Sequence, residues 1–457
     1  MNLGRTRHVH LVAIGGIGMS GIAEILVNTG FTVTGSDLVD GPALARLRSL
    51  GITCNVGHEA EQVLGADVVV FSTAVSADNP ELLEARRRGI PVIGRGEMLA
   101  ELMRMKQGIA VAGSHGKTTT SSLVAELLHA GGLDPTAVIG GRLQSFGSNA
   151  RLGAGPYMVA EADESDGSFL RLSPTWAVVT NVDREHLDHY GSFESLQQSF
   201  LYFLGRVPFY GAAIVCLEDP VLRELLPQLS CRQVGYGFGE DAALRGEILE
   251  QNSKGTRFAW KTKALSGEVE LPILGEHNLL NALAAIAVGL ELDLPAEAIA
   301  RGLGRFQGVG RRFDVKGEAG GVLVVDDYGH HPTEIAATLE ALAKHFQRPL
   351  HVVFQPHRYS RTQLLLDEFL PAFDAADDLI VTEIYAASEA PIEGINGDML
   401  ARKVQTRGKT PARHLVEREE IAARLLEELE PGDILVTLGA GNLNRFAEDF
   451  LEKLKAR

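Results

Sequence analysis

The sequence predicts an α/β protein of three domains, each built on a mostly parallel sheet. Three observations carry that prediction. Two apolar runs, residues 8–14 and 109–112, each end in a glycine-rich turn that opens a helix, the strand–turn–helix order of phosphate-binding units. Short apolar runs recur along the rest of the chain between amphipathic stretches, the alternation expected of a parallel sheet covered by helices. The chain has 457 residues, 45% hydrophobic and 22% charged, ordinary for a globular protein of roughly two to four domains.

Composition narrows the function classes. No apolar run reaches the ~20 residues of a membrane span, and residues 1–7 lead into a strand with no signal-peptide pattern, so a cytoplasmic protein without a membrane partner is expected. Cys54, Cys216 and Cys231 form no CxxC pair and are odd in number, which reads as free thiols in a reducing compartment. A net charge of −16 argues against a nucleic-acid surface. Anionic small molecules then need local glycine loops, helix N-termini and clustered Lys or Arg.

The first domain is expected over residues 1–107. His-Val-His-Leu-Val-Ala-Ile at 8–14 reads as a buried strand, followed by Gly15, Gly16, Ile17, Gly18, Met19 and Gly21 and an apolar helix to about Thr29. Gly16-x-Gly18-x-x-Gly21 is a dinucleotide fingerprint, and Asp37, beside Ser36, lies ~20 positions on, where a ribose partner belongs. An NAD(P) oxidoreductase fits these residues alone. The fingerprint reports a helix N-terminus facing a diphosphate, however, and UDP has one too; a ligand-free βα turn is the plain alternative. The strand at 66–73 sets Ser72, Thr73 and Ala74 at a sheet edge where ligands bind.

The central domain is expected over residues 108–312. Gly113-Ser114-His115-Gly116-Lys117-Thr118-Thr119 follows a strand and opens a helix. Its glycines let backbone N–H groups face an anion, Lys117 can reach β/γ-phosphates, and the Thr118 hydroxyl can ligate Mg²⁺. The loop reads G-x-x-G-K-T, with Val111 where the longer pattern has its first glycine; an ordinary turn is the alternative. Strands at 157–163 and 176–182 deliver Glu161, Asp163, Glu164 and Asp166, then Asp183, Glu185, His186, Asp188 and His189, to the same edge. Carboxylates and a histidine beside a Lys-Thr loop suit Mg²⁺ bound with phosphates; for 161–166 a solvated acidic loop is the alternative. Residues 233–273 alternate between glycine turns and read as an antiparallel β insertion. Asn278 and Asn281 share one face of the helix that follows, as ligands or as packing residues.

The C-terminal domain is expected over residues 313–457. Gly308-Val-Gly-Arg311-Arg312-Phe-Asp314 marks the joint. Strands at 322–327, 350–354, 379–382 and 434–437 alternate with helices such as 334–346 and 415–429, a second doubly wound unit. Its strand edges carry Asp326-Asp-Tyr328-Gly-His330-His-Pro, Gln-Pro-His-Arg358-Tyr-Ser-Arg361 and Gly439-Ala-Gly441.

Taken together these motifs resemble the Mur ligases, the ATP-dependent amide-forming enzymes of peptidoglycan precursor synthesis. The resemblance spans the chain: Gly15–Gly21, GSHGKTTT at 113–120, EADESD at 161–166, NVDREHLDHY at 181–190, GEHNLLNALAA at 275–285, GVGRRFD at 308–314, VDDYGHHPTE at 325–334 and QPHRYSRT at 355–362. VDDYGHHP with HRYSRT is more specific than either glycine loop. The resemblance implies a Rossmann-like N-terminal domain holding a UDP-sugar without NAD(P), a P-loop ATPase-like central domain and a Rossmann-like C-terminal domain binding an amino acid. The implied reaction joins L-alanine to the lactyl carboxylate of UDP-N-acetylmuramate through an acyl phosphate, with ATP as co-substrate and two Mg²⁺ ions. A recycling ligase adding a preformed tripeptide to the same sugar nucleotide shares most of these motifs.

By the same resemblance, Gly15–Met19, Ser36, Asp37, Ser72, Thr73 and Ala74 would face the UDP-sugar. Residues Gly113–Thr119, Asn278, Asn281, Arg312 and Asp326 would face ATP, and Thr118, Glu161 and His186 would hold metal. Tyr328, His330, Arg358 and Arg361 would form the amino-acid site. Lys117, His186, Arg311 and His330 would carry the chemistry, with the third domain closing on the second to exclude water.

Overall fold

The structure, a computed structural model, describes residues 3–143, 148–252, 254–387 and 389–456, with backbone alone at Ile17, Arg142, Leu143, Ser148 and Asn149. Five strands, β1 (His8–Val12), β2 (Thr32–Asp37), β3 (Thr53–Val56), β4 (Val68–Phe71) and β5 (Val92–Gly94), form a parallel sheet in the order β3-β2-β1-β4-β5. The order reverses at β1, and the glycine turn leaves the carboxyl end of that strand, where an open α/β sheet offers its crevice. Val9, Leu11 and Val12 are fully buried, as expected of a central parallel strand covered on both faces. Gly35 sits where a Cβ would press on the Leu11 carbonyl and the Ile14 side chain, which lets the chain after β1 cross β2 closely.

A ten-stranded sheet follows: β6 (Gln107–Ala112), β7 (Thr136–Leu143), β8 (Ser148–Arg151), β9 (Tyr157–Glu161), β10 (Trp176–Val179), β11 (Ala212–Cys216), β12 (Gln233–Gly237), β13 (Leu244–Asn252), β14 (Gly255–Lys261) and β15 (Ser266–Leu271). Their order is β15-β14-β13-β12-β11-β10-β6-β9-β7-β8. β6, the strand before the phosphate loop, lies between β9 and β10, so both acid-bearing edges flank that loop. The β insertion expected at 233–273 is present, but its first strands join in parallel and not antiparallel. β12 pairs in parallel with β11, and β13 pairs in parallel with β12, so β12 to β15 extend the central sheet. The antiparallel β7–β8 pair was not anticipated.

The last sheet has β16 (Asp314–Ala319), β17 (Val322–Asp327), β18 (Leu350–Phe354), β19 (Asp378–Val381), β20 (Ala412–His414) and β21 (Ile434–Leu438), in the order β16-β17-β21-β18-β19-β20. All neighbours are parallel except the β16–β17 hairpin, whose edge strand alternates too weakly in apolar residues to be read in advance. Two buried clusters cover its two faces, one around Leu339, Phe354, Phe369 and Phe373, the other around Ile421, Leu425, Phe446 and Phe450.

The chain divides into two compact units, residues 1–249, 257–271 and 278–307, and residues 250–256, 272–277 and 308–457. Within the first unit, polar contacts join the five-stranded and ten-stranded sheets. Lys106 Nζ donates to the carbonyls of Gly153 (2.9 Å) and Gly155 (2.6 Å), and Arg171 pairs with Glu97 at 2.8 Å.

Candidate active site

At the first glycine turn, helix Ile17–Asn28 starts with Gly16 as its cap, a residue with no side chain to satisfy the first N–H groups. Such an N-terminus can receive an anion. Asp37 closes the turn by accepting from Gly15 N at 2.9 Å. Met19 is in the core, so it can offer a ligand backbone only; the Ile17 side chain lies outside the described residues. Thr73 and Ala74 are exposed in the turn after β4, with Ala74 N donating to Ser72 Oγ at 3.4 Å. Ser36 is fully buried and donates to Glu81 Oε1 at 2.6 Å, so the structure gives its side chain a partner within the fold. Arg95, which sequence reasoning passed over, lies against Gly18: a Cβ there would come within 2.8 Å of its Nη1. Arg95 also pairs with Asp163 at 3.2 Å, linking the first glycine turn to the acidic edge after β9.

The second turn is shaped by β6, β10 and the helix Lys117–Ala130. Gly113 and Gly116 have φ of 130° and 80°, a region that disfavours side chains. A Cβ on Gly113 would run into Thr180, and one on Gly116 would stand 2.5 Å from Asn281 Oδ1. The loop is pinned from outside: His115 N donates to Asn181 Oδ1 (2.8 Å), Asp183 N donates to Ser114 Oγ (2.8 Å), and His115 Nε2 lies 3.0 Å from Asp183 Oδ2. Asn281 accepts from Thr120 at 3.0 Å and donates to Asn278 Oδ1 at 3.2 Å. The asparagine pair therefore braces the helix start, and Thr119 beside it is buried.

Lys117 donates to the carbonyls of Gly113 (2.6 Å) and Ser114 (3.1 Å) and to Glu164 Oε1 (2.7 Å). Burial works against its charge, but Glu164, Asp163 and Glu161 outweigh burial and hold its pKa above that of an ordinary lysine. Burial pushes the Glu164 carboxyl up to about 7, against the pull of Lys117. Asp163 moves the other way: burial opposes its charge, yet Lys117, Ser165 and Arg95 keep its pKa below the usual range. Thr118 Oγ1 donates to Glu161 Oε1 at 3.1 Å, and Glu161 Oε2 accepts from Gly140 N at 2.8 Å. A hydroxyl and a carboxylate side by side are hard oxygen donors of the kind Mg²⁺ takes. His186, with φ of 56°, sets Nε2 3.8 Å from Glu164 Oε1.

In the second unit, Tyr328 is the centre. The guanidinium groups of Arg311 and Arg312 lie 4.8 and 4.7 Å from its ring centroid, cation–π distances. Arg311 donates to Gly439 O at 2.5 Å, and its Nε lies 3.6 Å from Asp326 Oδ2. Asp326 is buried and accepts from Thr437 at 2.7 Å. Burial pushes neighbouring Asp327 up to about 6 although it accepts from Phe313 N and Gly329 N, both at 2.7 Å. His330 Nδ1 meets Tyr328 O at 3.1 Å and Glu334 Oε2 at 3.4 Å. A carbonyl only accepts, so Nδ1 carries the proton, and in the neutral ring Nε2 is the acceptor nitrogen. The ring chain continues from His330 to His357 (5.6 Å) and from His357 to stacked Tyr385 (5.5 Å). Arg361 Nη1 is 3.2 Å from His357 Nδ1, and Arg358, with φ of 71°, pairs with Glu389 at 3.7 Å.

Each unit thus gathers its own share of the expected residues: glycine turns, Lys117, Thr118, Glu161, His186 and the asparagines in the first; Arg311, Arg312, Asp326, Tyr328, His330, Arg358 and Arg361 in the second. Sequence reasoning missed Arg95, Thr180 and Asn181 in the first and His357, Tyr385 and Glu389 in the second. Asn181 had a readable signal, since it ends a strand beside the acidic edge; Glu389 had none.

Comparison with known proteins agrees along the whole chain. The Mur ligase family catalytic domain matches residues 8–107, the Mur ligase middle domain residues 111–289, and the Mur ligase glutamate ligase domain residues 311–441. A UDP-N-acetylmuramate–L-alanine ligase of Geobacter sp. strain M21 is 54% identical over 455 residues, covering 99% of each chain. One from Anaeromyxobacter dehalogenans strain 2CP-1 is 52% identical over 458 residues, covering 100% of both. The crystal structure of the UDP-N-acetylmuramate–alanine ligase of Thermotoga maritima superposes with a TM-score of 0.82 at 29% identity, covering 99% of this chain and 100% of that one. A murein peptide ligase of Psychrobacter arcticus shares the fold, with a TM-score of 0.73 at 23% identity over 99% of each.

Proposed function

The chain belongs to the Mur ligase family, and from that premise we infer that it is the ATP-dependent enzyme joining L-alanine to UDP-N-acetylmuramate. The observation that carries the alanine reading is identity of 52–54% over the full length to ligases of that specificity. The products are UDP-N-acetylmuramoyl-L-alanine, ADP and phosphate.

A carboxylate is a poor acyl donor because oxide is a poor leaving group. Transfer of the γ-phosphoryl group of ATP to the lactyl carboxylate gives an acyl phosphate. The alanine amine then attacks its carbonyl, the nitrogen loses a proton, and the tetrahedral intermediate expels phosphate. Phosphoryl transfer is mostly positioning and charge neutralisation. The backbone N–H groups of 116–118 would cradle the phosphates, since those of Ser114 and His115 are held by Asn181, with Lys117 on the β/γ oxygens. Thr118 and Glu161 would hold one Mg²⁺ and His186 would help hold a second; the oxygen donors fit the ion. Bound there, Mg²⁺ would neutralise charge between carboxylate and γ-phosphate.

The N-terminus of helix Ile17–Asn28 would take the UDP diphosphate, with Asp37, Ser72, Thr73 and Ala74 around it. Arg311 and Arg312 would reach phosphate oxygens, and Asp326 would orient Arg311. Arg358 and Arg361 would grip the alanine carboxylate, since an Arg fork matches a carboxylate. Tyr328 would wall the site, and His330 would take the amine proton at Nε2.

The test is phosphate release from ATP with purified protein, Mg²⁺ and UDP-N-acetylmuramate, with L-alanine, with the tripeptide, or with neither. Release that depends on alanine is expected. Release with the tripeptide alone would make the chain a recycling ligase.

A further inference from the structure

An ammonium group has three donors, and all three of Lys117 are taken, by Gly113 O, Ser114 O and Glu164 Oε1. The lysine assigned above to the β/γ-phosphates therefore has no donor left for a phosphate. One bond must be exchanged when nucleotide enters. Two of the partners are backbone carbonyls of the loop itself. The third is an anion, and a phosphate oxygen is its chemical equivalent.

Glu164 is built for that exchange. Its side chain is 1% exposed, and its backbone carbonyl is held by Tyr190 OH at 2.5 Å. Its second carboxylate oxygen, Oε2, is buried with no hydrogen-bond partner among the described residues. A carboxylate that served only to stabilise the fold would be expected to satisfy both oxygens. Here Lys117 supplies the charge partner for one oxygen, and the other is unmatched.

We propose that Glu164 is a phosphate placeholder, an internal anion that occupies Lys117 while the nucleotide site is empty and is displaced from it by the β/γ-phosphates. This rests on the functional reading above. Glu164 acts through Lys117 and is a positioning residue. Two consequences follow. Part of the phosphate's binding energy is spent on displacing the carboxylate, so the site binds nucleotide more weakly than Lys117 alone would allow. Re-formation of the pair also favours departure of the products.

The test is equilibrium binding of ATP, ADP and AMP to wild type and to Glu164→Gln, in mildly alkaline buffer containing EDTA so that no divalent metal mediates the effect. Glu164→Gln is expected to bind ATP about tenfold more tightly, the scale of one charge-assisted hydrogen bond, and ADP more tightly as well, with AMP unchanged. In turnover with Mg²⁺, KM for ATP falls while kcat does not rise. Unchanged or weaker ATP binding with AMP intact would overturn the proposal, and equal loss of all three nucleotides would show a merely structural role. A second measurement avoids substitution. In a crystal of the wild type with a non-hydrolysable ATP analogue, Lys117 Nζ must have left Glu164 Oε1 for the phosphate, and a retained pair overturns the proposal. Failure of the functional reading itself is distinct: wild type would then show no alanine-dependent phosphate release.

Discussion

Lys117 and Arg95 separate two kinds of charge in the first unit. Lys117 sits inside a glycine turn with its ammonium on loop carbonyls and Glu164, so its removal subtracts a charge from the transition state and leaves Glu164 buried without its partner. Lys117→Ala is expected to lower kcat by ~10²–10³-fold, the range for losing one preorganised electrostatic donor, with far-UV circular dichroism unchanged. Arg95 lies against Gly18 of the other turn and pairs with Asp163. Arg95→Ala is expected to raise KM for UDP-N-acetylmuramate by about tenfold or more, as for a lost charge-assisted hydrogen bond, while KM for ATP changes far less. Equal rises in both constants would mean that Arg95 only braces the two sheets. Lys117 was legible because a glycine pattern surrounds it. Arg95 opens a helix with no pattern around it, and only the fold brings it to Gly18.

At the scale of elements, β1 and β2 are held by a polar chain that runs from half-buried His8 to fully buried His10 and Glu81. His8 Nδ1 meets Gly65 O (2.8 Å), His8 Nε2 and His10 Nδ1 meet Thr34 Oγ1 (2.8 and 2.7 Å), and His10 Nε2 meets Glu81 Oε2 (2.5 Å). Burial opposes the Glu81 charge, but His10, Ser36 and His58 outweigh it and lower its pKa. A depressed carboxylate pKa contributes stability that is present above the unfolded value of about 4.3 and lost as pH falls through the folded value. Glu81→Gln is thus expected to lower stability at neutral pH by about 1–3 kcal/mol. It should also flatten the acid limb of a plot of denaturation midpoint against pH. A parallel drop at every pH would rule out the ion pair as the cause. The strands themselves were legible as apolar runs. Their polar chain was not, because Glu81 joins it from a helix far along the sequence.

At the scale of the molecule, what could be read in advance was local. Glycine turns, strand edges and the acids behind them follow from period and punctuation, so both glycine turns and the three sheets were foreseen. Pairing across the chain was not: that β12 and β13 join the central sheet in parallel depends on a strand edge that no window of sequence contains. Charge is the one property that sums over the whole chain, and it sets the last expectation. A net charge of −16 repels ATP and a UDP-sugar at long range, while the attractive N–H groups, Lys117 and Arg95 act only within the turns. Salt shortens the Debye length from ~30 Å at 0.01 M to ~8 Å at 0.15 M, which removes the distant repulsion first and leaves contacts within a few ångströms largely intact. The association rate of ATP, followed by stopped-flow fluorescence with a labelled analogue, is therefore expected to rise over that interval. A fall would mean that the local positive field, and not the net charge, governs approach, and the acids at 161–166 would then have to be neutralised before nucleotide arrives.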